Sequence, residues 1–260
     1  MLGFDKTRLR NPGLWGGCVG AWNPGLGISG STLKDNSGAN NYGVLTNGPI
    51  WKPSQGAYAL SFDGTDDYVN LKSPPVLDDL VAMTWAAWIY TNSVTTRQTL
   101  LWKGNDVSSI ASKLFELTAA GQLRARFTAT VSADVSAGTL LERTWYHVAV
   151  TFDNNGDRKL RLYLNGVLIG TSAAATGTRD DDSAHEMWIG NRIASGGIPF
   201  NGLITDVMVF NTTLEKRLQQ LSLRRGIAYE TVQRRSRKAA AAGGASVPIF
   251  AHHYRTLARA

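Results

Sequence analysis

Residues 83–90, Met-Thr-Trp-Ala-Ala-Trp-Ile-Tyr, alternate two sets of side chains. In an extended chain Met83, Trp85, Ala87 and Ile89 share one side, and Thr84, Ala86, Trp88 and Tyr90 share the other. Both sides are largely apolar, which predicts a strand covered on both faces. Tyr146, Val148, Val150 and Phe152 form one face of a second strand. Leu160, Leu162 and Leu164 do so in a third, opposite Lys159, Arg161 and Tyr163. The loop Asn154-Asn155-Gly156-Asp157 joins these two as antiparallel neighbours. Asn165-Gly166 then predicts a two-residue type I′ hairpin, because that turn needs positive φ at both central positions. Further strands are predicted within residues 58–64, 67–71, 99–104, 113–118, 123–130, 187–192 and 202–211. Many short strands separated by Gly, Asn and Asp turns predict an all-β protein, a two-sheet antiparallel jelly-roll sandwich.

One short helix follows. Thr212 and Glu215 have the capping-box spacing, and Leu214, Leu218 and Leu221 recur at i, i+4 and i+7. This stripe is expected to pack on the sandwich edge and to close the domain near Leu223. The 260 residues thus divide into an N-terminal arm (1–14), a jelly-roll domain (15–223) and a basic C-terminal arm (224–260). A composition of 43% hydrophobic and 18% charged residues allows a large core. Cys18 stands alone, so no intrachain disulfide or paired-cysteine zinc site can form, and it reads as a small buried hydrophobe. The first residues carry charges and a proline where a secretory signal needs an apolar run, and no later run is long enough to span a membrane. The expectation is a chain that folds in the cytoplasm where it is made.

Charge changes the picture at one end only. From Ser222 to Ala260 eight Lys or Arg stand against the single acid Glu230, which accounts for the whole net charge of +7. The body is neutral. The tail is read as an extended arm that gains order from a partner. Its candidate docking residues are Arg224, Arg225, Tyr229, Arg234, Arg235, Arg237 and Lys238. Clustered Arg and Lys suit nucleic-acid phosphates or an acidic groove on another protein. Protein docking is favoured, since no folded basic face accompanies the run.

Five pieces in order carry a resemblance: "GAWNPGLGISGSTLKDNSGANNYGVLTNG", "ALSFDGTDDYVNL", "MTWAAWIYT", "RTWYHVAVTFDNNGDRKLRLYLNGVLIG" and "MWIGNRIASGGIPFNGLITDVMVFNTTL". Together they resemble the laminin-G-like, concanavalin A-like jelly rolls over about residues 18 to 222. The resemblance implies two curved sheets of six or seven strands each. It also implies a family that binds sugars, proteins or calcium, or serves as a spacer. The whole layout, with its "RRGIAYE" segment, also resembles virion proteins of tailed bacteriophages. That implies a non-enzymatic structural or decoration protein of the particle, assembled in the host cytoplasm. It would dock in multiple copies to capsid or tail subunits, with cell-surface glycans as further partners. The alternative is a carbohydrate-binding, lectin-type adhesion module.

Glycoside hydrolases of this fold set two glutamates and an aspartate on one strand as ExDxxE or ExDxE, since retaining hydrolysis needs two carboxyls about 5 Å apart. None of Glu116, Glu142, Glu186, Glu215 and Glu230 has an aspartate two residues on, so no enzyme is expected. His147 reads as a packed or surface histidine, without a nucleophile in motif context. "TRDDDSAHE", with Asp180, Asp181, Asp182, His185 and Glu186, reads as a solvated loop. By resemblance Asp35 and Asn40 match positions that ligate calcium, with Asp206 nearby, as a structural clip. The other reading of Asp35 and Asn40 is a tight turn fixed through the backbone. Asp63, Gly64, Asp66 and Asp67 are expected to shape a hairpin. Trp15, Trp22, Trp51 and Trp102 offer sugar-stacking surfaces or, as the better expectation, core.

Overall fold

The computed structural model describes residues 15–24, 27–54, 57–104, 113–183, 185–192 and 197–224. In chain order the strands are β1 (Cys18–Trp22), β2 (Thr32–Leu33), β3 (Gly43–Thr46), β4 (Ile50–Ser54), β5 (Ala57–Asp63), β6 (Tyr68–Asn70), β7 (Ala82–Thr91), β8 (Gln98–Lys103) and β9 (Lys113–Leu117). They continue as β10 (Gln122–Phe127), β11 (Ala129–Val131), β12 (Ala133–Thr139), β13 (Trp145–Asp153), β14 (Arg161–Leu164), β15 (Val167–Thr171), β16 (Thr176–Arg179), β17 (Met187–Ile189) and β18 (Asn201–Phe210), followed by α1 (Leu218–Arg224). One sheet runs β15-β14-β13-β7-β18-β5-β4, with β1 also paired to β18. The other runs β12-β10-β9-β8-β17-β6-β3-β2, and β11 pairs with β16 apart from both. Each large sheet therefore has eight strands, more than the resemblance implied.

Alternation in β7 holds as expected. Met83, Trp85, Ala87 and Ile89 enter the core between the sheets, where Phe127 of β10 stacks on Phe152 of β13 at 3.9 Å between ring centroids. The other side of β7 is also covered. Ala86 packs with Ala149, Tyr163, Met208 and Phe210 beneath Leu214, Leu218 and Leu221. The helix thus lies on the outer face of the first sheet, a correction to the expected edge position. Small residues at 86 and 149 let it approach. The Thr212–Glu215 capping box does not form, because buried Thr84 of β7 takes its place. Thr84 Oγ1 donates to the Thr212 carbonyl at 2.8 Å and accepts from the Leu214 N–H at 3.0 Å, and α1 starts only at Leu218.

Asn165 and Gly166 both have positive φ, 49° and 79°, and join β14 to β15 as the type I′ turn requires. A Cβ on Gly166 would lie 2.5 Å from Gln219 Cα, so this turn also seats the helix. In β18 the register shifts between Thr205 and Met208, where Asp206 takes φ of 51°. This bulge lets one edge of β18 pair first with β5 and then with β1.

"TRDDDSAHE" is not simply a solvated loop. Asp182 is fully buried, and its carboxylate pairs with Lys113 and lies 3.9 Å from Lys103. The reason is strand parity: Lys103 and Lys113 fall on the same side as Leu101 and Phe115 and so point inward. Burial pushes the Lys113 amine down to about 7, and the charges of Lys103 and Arg179 add to that push. Counter-charges come from loops that cap this end. Lys103 Nζ contacts Asp78 Oδ1 at 2.7 Å and donates to the His185 carbonyl at 2.6 Å. Asp182 Oδ1 in turn accepts the Asp79 N–H at 2.7 Å, tying two loops together. Removing one partner strands a buried charge, so Asp182→Ala should cost about 3–5 kcal/mol in urea unfolding, with exposed Asp181→Ala far milder.

Candidate functional site

A small groove of about 90 Å³ lies on the described surface. It lies between the chain after β1, the loop leading to β2 and strand β4. Asn23, Ile28, Ser29, Lys34, Asn36 and Trp51 line it. Ile28 is 59% exposed, and Trp51 is half-buried with its Nε1 donating to the Gly30 carbonyl at 2.8 Å. That bond fixes the indole by its polar edge. An aromatic ring and an exposed aliphatic side chain therefore stand beside two amides, a hydroxyl and an ammonium. Of the four tryptophans singled out from the sequence, Trp15, Trp22 and Trp102 are core or nearly so, and Trp51 reaches the surface.

Asp35 builds the groove from behind. Its Oδ1 accepts the N–H groups of Ala21 (2.9 Å) and Ser37 (2.8 Å), and its Oδ2 accepts the Ser37 hydroxyl (2.8 Å) and the Asn41 N–H (3.0 Å). This holds the turn against β1 and sets Lys34 and Asn36 on either side of it. Asn40 is exposed in a left-handed conformation (φ 61°), and its Oδ1 accepts the Tyr42 hydroxyl at 3.2 Å. Asp206 sits buried in the β18 bulge, one residue before Val207, the partner of Trp22. Asp35 fits the turn-fixing role and does not fit that of a calcium ligand. Both of its oxygens already face donor hydrogens, and a cation would meet those same positive ends.

Asp63, Asp66 and Asp67 bring carboxylate oxygens within 4.8 Å of one another, a geometry open to a hard cation. Their segment is not a hairpin, since β5 belongs to one sheet and β6 to the other; it is the turn that crosses between them. Asp67 Oδ2 accepts the Asp63 N–H at 2.9 Å, and Asp63 Oδ1 accepts the Thr65 N–H at 2.7 Å. Burial raises the Asp67 carboxyl, helped by the charges of Asp63 and Asp66.

The four described glutamates are each engaged. Glu116 is buried against Arg97 and Arg124, and Glu142 accepts the Val94 N–H at 3.1 Å. Glu186 accepts from Asn70 and from the Trp188 indole, and Glu215 lies 3.5 Å from Arg161. Of the tail candidates, Arg224 ends α1, while Arg225, Tyr229, Arg234, Arg235, Arg237 and Lys238 lie outside the described residues, as do the N-terminal arm and the rest of the C-terminal one.

Residues 63–217 match the concanavalin A-like lectin/glucanases superfamily. The chain belongs to that superfamily. Among solved structures it is similar to the binding domain of Paraclostridial Mosquitocidal Protein 1, at 14% identity and a TM-score of 0.63, over 80% of this chain and 52% of that one. It is also similar to Trypanosoma rangeli sialidase in complex with sialic acid, at 16% identity and a TM-score of 0.63, over 82% of this chain and 33% of that one. At these identities the likeness is one of fold. The chain spans about half the length of the first and a third of the second. No curated protein sequence matches it.

His147 is a packed histidine. It is fully buried on the outer face of β13, its ring edge-on to Trp88 at 5.5 Å between centroids, and neither ring nitrogen has a hydrogen-bond partner among the described residues. Burial alone pushes it down to about 4 from the usual 6.5. The unfolded chain therefore takes up this proton first as pH falls. Stability should drop by roughly 3 kcal/mol between pH 6.5 and 4, and His147→Leu should flatten that part of the curve in urea titrations.

Proposed function

We propose that this chain is a non-catalytic, lectin-type module that binds carbohydrate in the Trp51 groove. The observation that carries the reading is the pinned indole beside Asn23, Lys34 and Asn36. An apolar ring packs against the C–H face of a sugar, while amides and an ammonium bond its hydroxyls. Membership of a superfamily of lectins and glucanases supports the binding reading, as does the fold likeness to a domain named for binding. Against glucanase chemistry stand the four described glutamates, each tied to a neighbour, and the absence from the sequence of any glutamate spaced for a carboxylate pair. A glycan array followed by calorimetry tests this. Trp51→Ala should weaken binding roughly tenfold or more while leaving the unfolding midpoint near that of the parent. Absence of any bound glycan, or undiminished affinity in the variant, sinks the reading.

A second reading is favoured by the one-sided charge. The whole excess of +7 falls within residues 222–260, which suits docking to other virion proteins of a tailed bacteriophage. Many copies on a particle would add avidity to a weak glycan contact, so the two readings are compatible. Deleting residues 225–260 should leave the sandwich folded and keep it out of particles. Normal incorporation of the shortened chain would refute the docking role.

A further inference from the structure

The outer face of the first sheet continues beyond the helix. Beneath α1 lie the cross-strand neighbours Ala149, Ala86 and Met208. The next row along the strands is His147, Trp88 and Thr205. The row after that is Trp145, Tyr90, Leu203, Ser61 and Ile50, each the partner of the one before. Trp88, Tyr90, Trp145 and Leu203 are half-buried, and Ile50 is 56% exposed. Tyr90 and Trp145 stand 5.5 Å apart between ring centroids. At about 4.8 Å between strands, the row from β13 to β4 is about 19 Å long. A continuous aromatic and aliphatic surface of this kind marks a place of contact.

The chain leaves the helix beside these rows. It comes onto the face at Thr84, whose hydroxyl bonds the Thr212 carbonyl and the Leu214 N–H. By Gln219 and Ser222 it has reached Gly166, where a Cβ would lie 2.5 Å from Gln219 Cα and 2.8 Å from Ser222 Oγ. That turn belongs to the His147 row. Asn165 donates its N–H to the His147 carbonyl at 2.7 Å, and Asn165 Oδ1 accepts the His147 N–H at 3.0 Å. Between residues 212 and 222 the chain thus moves from the row of Thr84 to the row of Trp88, and α1 ends at Arg224. The sequence then reads Arg225-Gly226-Ile227-Ala228-Tyr229-Glu230-Thr231. In an extended segment Ile227 and Tyr229 share one side, and Ala228 and Glu230 share the other.

We propose that residues 226–231 strap across this face, with Ile227 and Tyr229 seated on Trp88, Tyr90 and Leu203. The reach fits, since the seven residues from 225 to 231 span at most about 23–25 Å against about 19 Å for the row. The chemistry fits as well. Ile227 and Tyr229 bring an aliphatic and an aromatic side chain to a row without charge, while Glu230 points to solvent. A segment tethered at the edge of its own target meets it at an effective concentration on the order of millimolar, ahead of a second copy or a sugar in solution. The basic cluster Arg234, Arg235, Arg237 and Lys238 then departs from a fixed point on the sandwich. The strap rests on neither reading of the function and is compatible with both.

Variants of the full chain test it. Ile227→Ser and Tyr229→Ser should each lower the melting temperature by about 3–8 °C, since each leaves apolar surface of the sheet wet. Ile249→Ser, in the same arm but past the strap, should melt with the parent. Nuclear Overhauser contacts should join the Tyr229 ring to the ring of Trp88 or Tyr90. In a mixture of isotope-labelled and unlabelled chains those contacts should stay within one copy. Parent-like melting of both strap variants, or a Tyr229 ring without contact to the sheet, would overturn the proposal. Contacts found only between copies would overturn it in favour of a second chain. Glycan-induced shifts of Trp88 and Tyr90 with both variants melting like the parent would overturn it in favour of a sugar.

Discussion

The structure depends on apolar contact between two sheets, which the stack of Phe127 on Phe152 exemplifies. Burial of such faces is the dominant favourable contribution to a fold of this kind. It also creates the constraints that shape everything else. Each sheet has a second face, and the sandwich has open ends. The outer face of the first sheet is covered by Leu214, Leu218 and Leu221, and one end is plugged by Lys103, Lys113 and Asp182. At the rim, Ile28 and Trp51 leave apolar surface standing beside polar side chains.

Strand period carries most of the legible information. The inward set of β7, the type I′ turn at Asn165-Gly166 and the all-β class follow from alternation and φ requirements alone. Long-range pairing escapes such patterns. Thr84 caps the helix segment from more than a hundred residues away, which no local motif signals, so the Thr212–Glu215 spacing misleads. Asp182 looks like one acid in a solvated run because the lysines that claim it come from β8 and β9.

The site is partly legible for the same reason. Trp51 stands out as an aromatic, but nothing in its sequence neighbourhood shows that Asn23, Lys34 and Asn36 converge on it. Asp35 is conspicuous in a turn-rich stretch, and the four hydrogens it accepts decide between its two candidate roles in favour of shaping the loop. The sheets thus act as a frame on which the loops around Trp51 are set.

We propose that this molecule holds a saccharide at its rim and leaves it chemically unchanged. The most direct measurement is a two-dimensional ¹H–¹⁵N spectrum of the full chain, recorded while an oligosaccharide selected by the array is titrated in. On this reading shifts are expected in the Trp51 indole N–H and the amides of residues 27–36, none in the amides of β7 and β13, and no new reducing ends in the sugar over time. Shifts centred on the core strands with Trp51 unmoved, or steadily appearing reducing ends, would contradict it.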